Sequence, residues 1–498
     1  MNPKFVIIGG GTAGWLVANI IRSFVKPETR ITLVESPKIP TVGVGEGTTN
    51  HFWFALNYWC PWLKENEFIR ETNATFKLGS RFEDWTHEGS WYTTPNDAIG
   101  HPPECDTEFP PSFDSMRAYA VANELSVNPS IQDLLINNSR APYIYGKSNG
   151  HGFHFDAYLA LKFFHKRAKI ADIEHVIGTV KSVNRQEDGK VLSLVFDDDK
   201  TLEGDIFVDC TGFLRLLPKI LNVKFNSWKD YILVDRAINF PIPIKDNEDI
   251  PSYTLAKAMD SGWLWRIPTY ERYGSGYIFS SSFLNTDQAF DVLKQKYGIE
   301  SYIQEIKFET GALESGWSHN VLFSGLCAGF IEPMESTSLH SSICNLVVFL
   351  KEFYRPDMNM MDTNLQHRYN DLYWKPYWES VRDWIVLHYQ TGRNDTEFWR
   401  AANAVQKPDS LKSKLELWEY RMPRVIETSN KDQIWQHSLV YSVANGLNLL
   451  SKEVAQKELD YYGLNLFGKK VYEKYSSFAK EQYKGSRNHR EVLKEIRR

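Results

Sequence analysis

Hydrophobic and polar positions along this chain follow three regimes. The first is a solid apolar run, Phe5 to Ile8, rich in β-branched residues, which predicts a strand buried on both faces. Ala13 to Phe24 then places apolar residues at helical spacing, and Arg30 to Val34 predicts a second strand. In the second regime, 176–215 and 230–285, apolar and polar residues alternate with the period of half-buried antiparallel strands, so these stretches are expected to share one further sheet. In the third, from about Gln366 to Arg498, helical spacing dominates and Trp374, Trp378, Trp384, Trp399, Trp418 and Trp435 are spread through it. Residues 86–115, rich in Pro, Gly and polar side chains, read as a long loop of the kind that serves as a lid or binding loop. The division expected from these patterns is 1–355 as a nucleotide-type unit carrying an inserted sheet, and 356–498 as a helical cap.

The first strand runs straight into FVIIGGGTAGW, where Gly9, Gly11 and Gly14 have the GxGxxG spacing. The first glycine permits a tight turn, the second lets backbone approach a pyrophosphate, and the third allows close helix–strand packing. Thr12 and Ala13 open the helix, whose N-terminus offers N–H groups and the positive dipole end to phosphate. Glu35 closes the second strand 21 residues beyond Gly14, the spacing of an acid that hydrogen-bonds ribose hydroxyls. Gly204 to Phe213 reads as another strand followed by a turn, with Asp209 and Gly212 at its end; taken alone it could equally be one more core strand.

Composition narrows the classes. The 498 residues can bury a large core, and a formal charge of −5 excludes the basic footprint of a nucleic-acid binder. Five cysteines, Cys60, Cys105, Cys210, Cys327 and Cys344, show no metal-ligand spacing and an odd count, which fits reduced thiols in a cytoplasmic protein with no metal site. Residues 5–21 are apolar enough to suggest a signal or membrane segment, but their glycines favour the nucleotide loop, and no other stretch approaches spanning length. The basic tail from Lys480 to Arg498 reads as a solvated terminal helix. Aromatics make up 14% of the chain, 16 of them Trp, an excess that suits a pocket for a flat aromatic molecule.

Three further stretches carry candidate chemistry. Lys77, in Ala74-Thr75-Phe76-Lys77-Leu78-Gly79, is a lone cation among apolar and small residues. Gly262-Trp263-Leu264-Trp265-Arg266-Ile267-Pro268 puts two indoles at i and i+2, on one face of a strand. Gly329-Phe330-Ile331-Glu332-Pro333-Met334-Glu335-Ser336-Thr337-Ser338 leads into a predicted helix over Ser338–Phe353, whose N-terminus suits an anion.

With the glycine loop, these stretches stand in the order found in the flavin-dependent (tryptophan) halogenases, which the chain resembles over roughly residues 1–350. The resemblance implies an α/β fold: an FAD-binding Rossmann-like unit of the flavin-monooxygenase type, an antiparallel substrate-side sheet and a C-terminal helical subdomain. It implies FAD, used as FADH2 from a separate flavin reductase, with O2 and a halide ion as co-substrates. It carries a catalytic role to Lys77 and Glu335, flavin contacts to Gly9, Gly11, Thr12, Ala13, Gly14, Glu35, Asp209, Gly212 and Gly329, and halide contacts to the N–H groups of Thr337 and Ser338. Trp263, Trp265, Ile267 and Pro268 become a barrier between flavin and substrate that only hypohalous acid crosses. Met334 stands where the family has Leu, Ser338 where some members have Gly, and Gly311-Ala312 where Gly-Arg is frequent. The paired tyrosines and acid that hold free tryptophan are not evident, although Tyr461-Tyr462 occurs late, so another indole, a phenol or a similar electron-rich aromatic fits at least as well. The competing readings are an FAD-dependent aromatic monooxygenase and a flavin-fold binding module; self-association into a homo-oligomer is left open.

Overall fold

The computed structural model describes residues 2–39, 45–95, 112–148, 150–427 and 437–498. The chain forms two compact units, each assembled from three stretches: 1–74, 155–229 and 308–382 in the first, and 75–154, 230–307 and 383–498 in the second. The helical residues after 355 are thus shared between them, 356–382 lying in the first unit and 383–498 in the second. Cys105, Trp435 and residues 96–111 of the expected long loop lie outside the described residues.

The first unit is organised by a six-stranded sheet in the order Glu174–Ile177, Ile31–Glu35, Phe5–Ile8, Ile206–Asp209, Val321–Phe323, Trp317–Ser318. All neighbours are parallel except the last pair. Burial on both faces explains the unbroken apolar run: Phe5, Val6 and Ile7 are 0–1% exposed. The helix Thr12–Phe24 follows the first strand at once, as the apolar spacing predicts. Residues 176–215 correct the expectation of one shared further sheet. Val180–Arg185, Val191–Phe196 and Thr201–Glu203 form their own antiparallel sheet in this unit, and Ile206–Asp209 joins the parallel one. Local alternation fixes the strand period but not which sheet a strand enters.

The second unit holds a seven-stranded sheet, ordered Gln304–Lys307, Arg236–Pro243, Arg272–Phe279, Gly262–Pro268, Tyr253–Met259, Gly79–Glu83, Trp91–Pro95. Its pairs are antiparallel except Tyr253–Met259 with Gly79–Glu83. The helix Thr286–Tyr297, opened by an Asn285/Gln288 capping box, packs Ala289 and Leu293 onto Ile238, Phe240, Leu264, Tyr277 and Phe279 of this sheet. Two expectations are corrected here. The stretch 86–115 contains the strand Trp91–Pro95 and the start of the helix Ser112–Ala122. The basic tail is docked rather than solvated: Ser486–Asn488 pairs with Arg140–Ile144, and the helix His489–Arg497 buries His489, Val492 and Leu493.

Candidate functional site

In the first unit the glycine loop forms a cradle whose dimensions require glycine. Gly9 has φ +117°, and a Cβ there would lie 2.3 Å from the Cys210 carbonyl oxygen; one on Gly14 would lie 1.9 Å from the Gly9 oxygen. At Gly11 a Cβ would meet nothing within 4 Å, so the loop is tight behind and open in front. Gly11 is also the N-cap of the helix and has no side chain to satisfy its first N–H groups. Open space, bare helix N–H groups and a tight loop together fit a dinucleotide pyrophosphate. Ala13 packs under Gly325, where an added Cβ would lie 2.8 Å from its own.

The neighbouring turn is held by Asp209, which is fully buried. Its carboxylate accepts from the Thr211 and Leu217 backbone N–H groups, each at 2.7 Å, and this folds the chain back at Gly212, φ +63°. Burial pushes its carboxyl upward against the pull of these donors. Glu35 lies against Gly10, where a Cβ would come 2.3 Å from its Cγ, and its Oε2 is 2.9 Å from His175 Nε2. Gly329 sits under Trp378, where a Cβ would come 2.7 Å from the ring. Sequence reasoning missed Glu46. Its Oε1 accepts from the Thr12 hydroxyl at 3.2 Å, and its carboxyl is pushed up to about 7, chiefly by burial. The signal available was an acid inside a Gly-rich run, Gly43 to Gly47.

Glu335 and Ser336 both adopt left-handed backbone, φ 58° and 56°, a conformation that costs a non-glycine residue about 1–2 kcal/mol. Two such residues in succession turn the chain sharply into the helix Thr337–Val348, which continues as a π-turn over Phe349–Phe353. Ser336 is the N-cap but makes no side-chain cap bond, so the N–H groups of Thr337 and Ser338 open the helix without one. Strain of this kind is retained where surrounding structure demands it, frequently at sites of function.

In the second unit Lys77 ends the short strand Thr75–Lys77 and is 2% exposed. A lysine so deeply buried is rare, because desolvating an ammonium is costly. Its strand pairs with Gly152–Phe155, Thr75 opposite His154 and Lys77 opposite Gly152. The Thr75 hydroxyl donates to the Pro268 carbonyl at 2.5 Å, tying the lysine strand to the end of the tryptophan strand. Trp263 and Trp265 are 1% and 7% exposed, with ring centroids 6.4 Å apart. Ile267 and Pro268 are buried beyond them, opposite Gly274 and Tyr273. Lys77 and the two indoles thus belong to one unit, while Glu335, Thr337 and Ser338 belong to the other with the glycine loop.

Comparison with known proteins adds the following. The family model described as tryptophan halogenase matches residues 4–459. The 7-chloro-L-tryptophan 6-halogenase KtzR of Kutzneria sp. (strain 744) is 32% identical over 454 residues, 84% of this chain and 85% of the relative. Among solved structures, Xcc4156, a flavin-dependent halogenase from Xanthomonas campestris, has a TM-score of 0.86 at 26% identity and covers 100% of this chain and 98% of its own. A tryptophan halogenase from Shewanella frigidimarina NCIMB 400 has a TM-score of 0.88 at 25% identity, with the same coverage.

Proposed function

The chain belongs to the tryptophan halogenase family, and from that premise we propose how its own residues divide the reaction. It is a flavin-dependent halogenase on an FAD-binding Rossmann-like α/β fold, acting on indole-type aromatics. We assign FADH2 supply to a separate flavin reductase. FADH2, when bound with O2 and halide, would supply the oxidised halogen as hypohalous acid.

The glycine cradle of Gly9, Gly11, Thr12, Ala13 and Gly14 holds the pyrophosphate on the helix N-terminus, and Glu35 takes the ribose hydroxyls. Asp209 and Gly329 serve the cofactor indirectly, Asp209 by fixing the turn at Gly212 and Gly329 by making room for the Trp378 ring packed against it. The N–H groups of Thr337 and Ser338 hold halide. Trp263, Trp265, Ile267 and Pro268 keep the organic substrate from the flavin, so that only a small oxidised halogen passes. Lys77 holds that species by a hydrogen bond from its ammonium, or as the neutral amine attacks the halogen, breaking the halogen–oxygen bond and releasing water to leave a haloamine, and it presents the halogen to one ring edge. Glu335 stabilises the cationic ring intermediate and accepts its proton.

The observation that carries this reading is the burial of Lys77 on a strand tied through Thr75 to the Trp263–Pro268 segment. The monooxygenase alternative has no use for either feature. Mass spectrometry of reactions containing a flavin reductase, FAD, NADH and a panel of indoles and phenols tests it, with chloride, bromide and iodide supplied separately. Halogenated product from wild type and none from Lys77→Ala is expected; oxygenated product without halogen would overturn it.

A further inference from the structure

The backbone around Lys77 is anchored by the C-terminus of the chain. Just before the parallel pair Tyr253–Met259 and Gly79–Glu83 begins, the ladder slips by one residue: the Leu78 N–H donates to the carbonyl of Ser252, the residue directly opposite it, at 2.7 Å. Two residues further back, the Phe76 N–H and the Ile250 carbonyl are joined through a side chain. An imidazole bridges the two. His489 Nε2 accepts from the Phe76 N–H at 3.0 Å, and His489 Nδ1 donates to the Ile250 carbonyl at 2.9 Å.

Both bonds together require the neutral Nδ1–H tautomer, and burial agrees, pushing the ring down to about 4. The side chain is 0% exposed, and its ring lies 5.7 Å from that of Phe76. The helix that carries it is fastened to the same segment. Asn488 caps the Glu491 N–H and donates to Asp249 at 2.8 Å, while Arg490 donates to the Glu248 carbonyl at 2.6 Å and the Lys245 carbonyl at 3.0 Å.

We infer that His489 is a positioning residue for Lys77: bridging the Phe76 N–H and the Ile250 carbonyl, it holds the lysine strand to this segment and fixes the Thr75–Phe76 peptide, one peptide before the lysine's own. The inference rests on the reading of Lys77 as the halogen-directing group. The amides on either side of Lys77 then have different anchors, Leu78 on backbone and Phe76 on a side chain from 413 residues away. Without the ring, the Phe76 N–H either loses its partner or closes onto Ile250, and either change moves the ammonium. A displacement of about 1 Å at a reacting group is enough to lose a large part of its rate.

The test compares His489→Ala, His489→Gln and Lys77→Ala in the full-length enzyme. Two quantities are read: hydrogen exchange at the Phe76 amide, and halogenated product formed per FADH2 consumed. A small diketone added in excess traps any hypohalous acid that escapes. His489→Ala should speed Phe76 exchange and lower product per FADH2 by roughly ten-fold, with the missing halogen recovered on the diketone. His489→Gln, whose amide oxygen falls near the Nε2 position, should restore most of the ratio. An unchanged ratio despite faster Phe76 exchange overturns the inference, and so does a parallel fall of product and trapped halogen, which marks a general structural role. If His489→Ala does not fold, Asn488→Ala loosens the same docking and is judged by the same two outcomes. Undiminished product from Lys77→Ala would instead sink the reading of the lysine itself.

Discussion

The indole of Trp265 occupies the space that a side chain on Gly276 would need: the two residues face each other across adjacent strands, and a Cβ at 276 would lie 2.0 Å from the ring's Cη2. The tryptophan proposed as part of the barrier is therefore seated by a glycine on the next strand rather than by its own sequence neighbours. Gly276→Ala should displace the ring and cost about 1–3 kcal/mol through overpacking. Thermal unfolding measures the cost, and the ratio of oxygenated to halogenated product measures the leak through the barrier. A ratio equal to wild type in a destabilised variant would show that Trp265 is core packing alone.

Asp209 accepts two backbone N–H groups with its two oxygens, and an asparagine in its place offers only one acceptor oxygen. Asp209→Asn should destabilise by about 1–3 kcal/mol, the cost of stranding a buried donor, and weaken FAD binding by loosening the turn at Gly212. Denaturant unfolding and flavin titration check the two effects. An undisturbed fold with undiminished flavin affinity would contradict this account of the turn.

Glu46 gives the protein without flavin an alkaline weakness. Its carboxyl is raised from 4.5 to about 7, so the folded chain binds that proton more tightly than the unfolded chain. This contribution to stability is whole below pH 4.5 and lost as pH rises through about 7. Glu46→Gln keeps a partner for Thr12 without the titration, and should flatten the fall in Tm between pH 5 and 8 in the flavin-free protein. Parallel Tm curves for the two proteins would rule Glu46 out as the source.

Buried histidines act in the opposite direction. His388 stacks on Phe82 at 4.7 Å, with its Nδ1 3.2 Å from the Tyr92 hydroxyl, and burial lowers it from 6.5 to about 3. His340 is also lowered to about 3 and His489 to about 4. Between these values and 6.5 the unfolded chain holds more protons, so their contribution is present above pH 6.5 and lost as pH falls. Each should cost on the order of 2–3 kcal/mol by about pH 4.5. Tm measured from pH 7 down to 4.5 should fall steeply in wild type and less so in His388→Phe, which keeps the stack. An equal slope in both would remove His388 from this account.

The nucleotide half was legible because its signals are local. A strand buried on both faces has to be apolar throughout, a GxGxxG turn has to place its glycines at fixed offsets, and Glu35 has to end the next strand. Phe5–Ile8, Thr12–Phe24 and Ile31–Glu35 accordingly stand where the pattern puts them. The Trp263/Trp265 pair and the helix after Ser336 were equally readable, since spacing alone fixes a strand face and a helix start. What escaped was long-range. The strands of 176–215 have the same period whichever sheet they join, Glu46 is one acid among many until Thr12 lies beside it, and a basic C-terminal helix looks solvated until four of its residues are buried.

The sequence by itself determined the period of each element, the glycine positions at which backbone must pass close to backbone, and the motifs that place the chain in its family. Only the tertiary structure decided that stretches from all along the chain assemble into two units, each built from three stretches, that Gly276 seats Trp265, and that His489 bridges the Phe76 N–H and the Ile250 carbonyl beside Lys77. The reason is physical. Periodicity and turn chemistry are set by neighbours a few residues away, whereas a backbone amide with no strand to meet or a void the size of an indole is filled by whichever side chain the folded core brings to it.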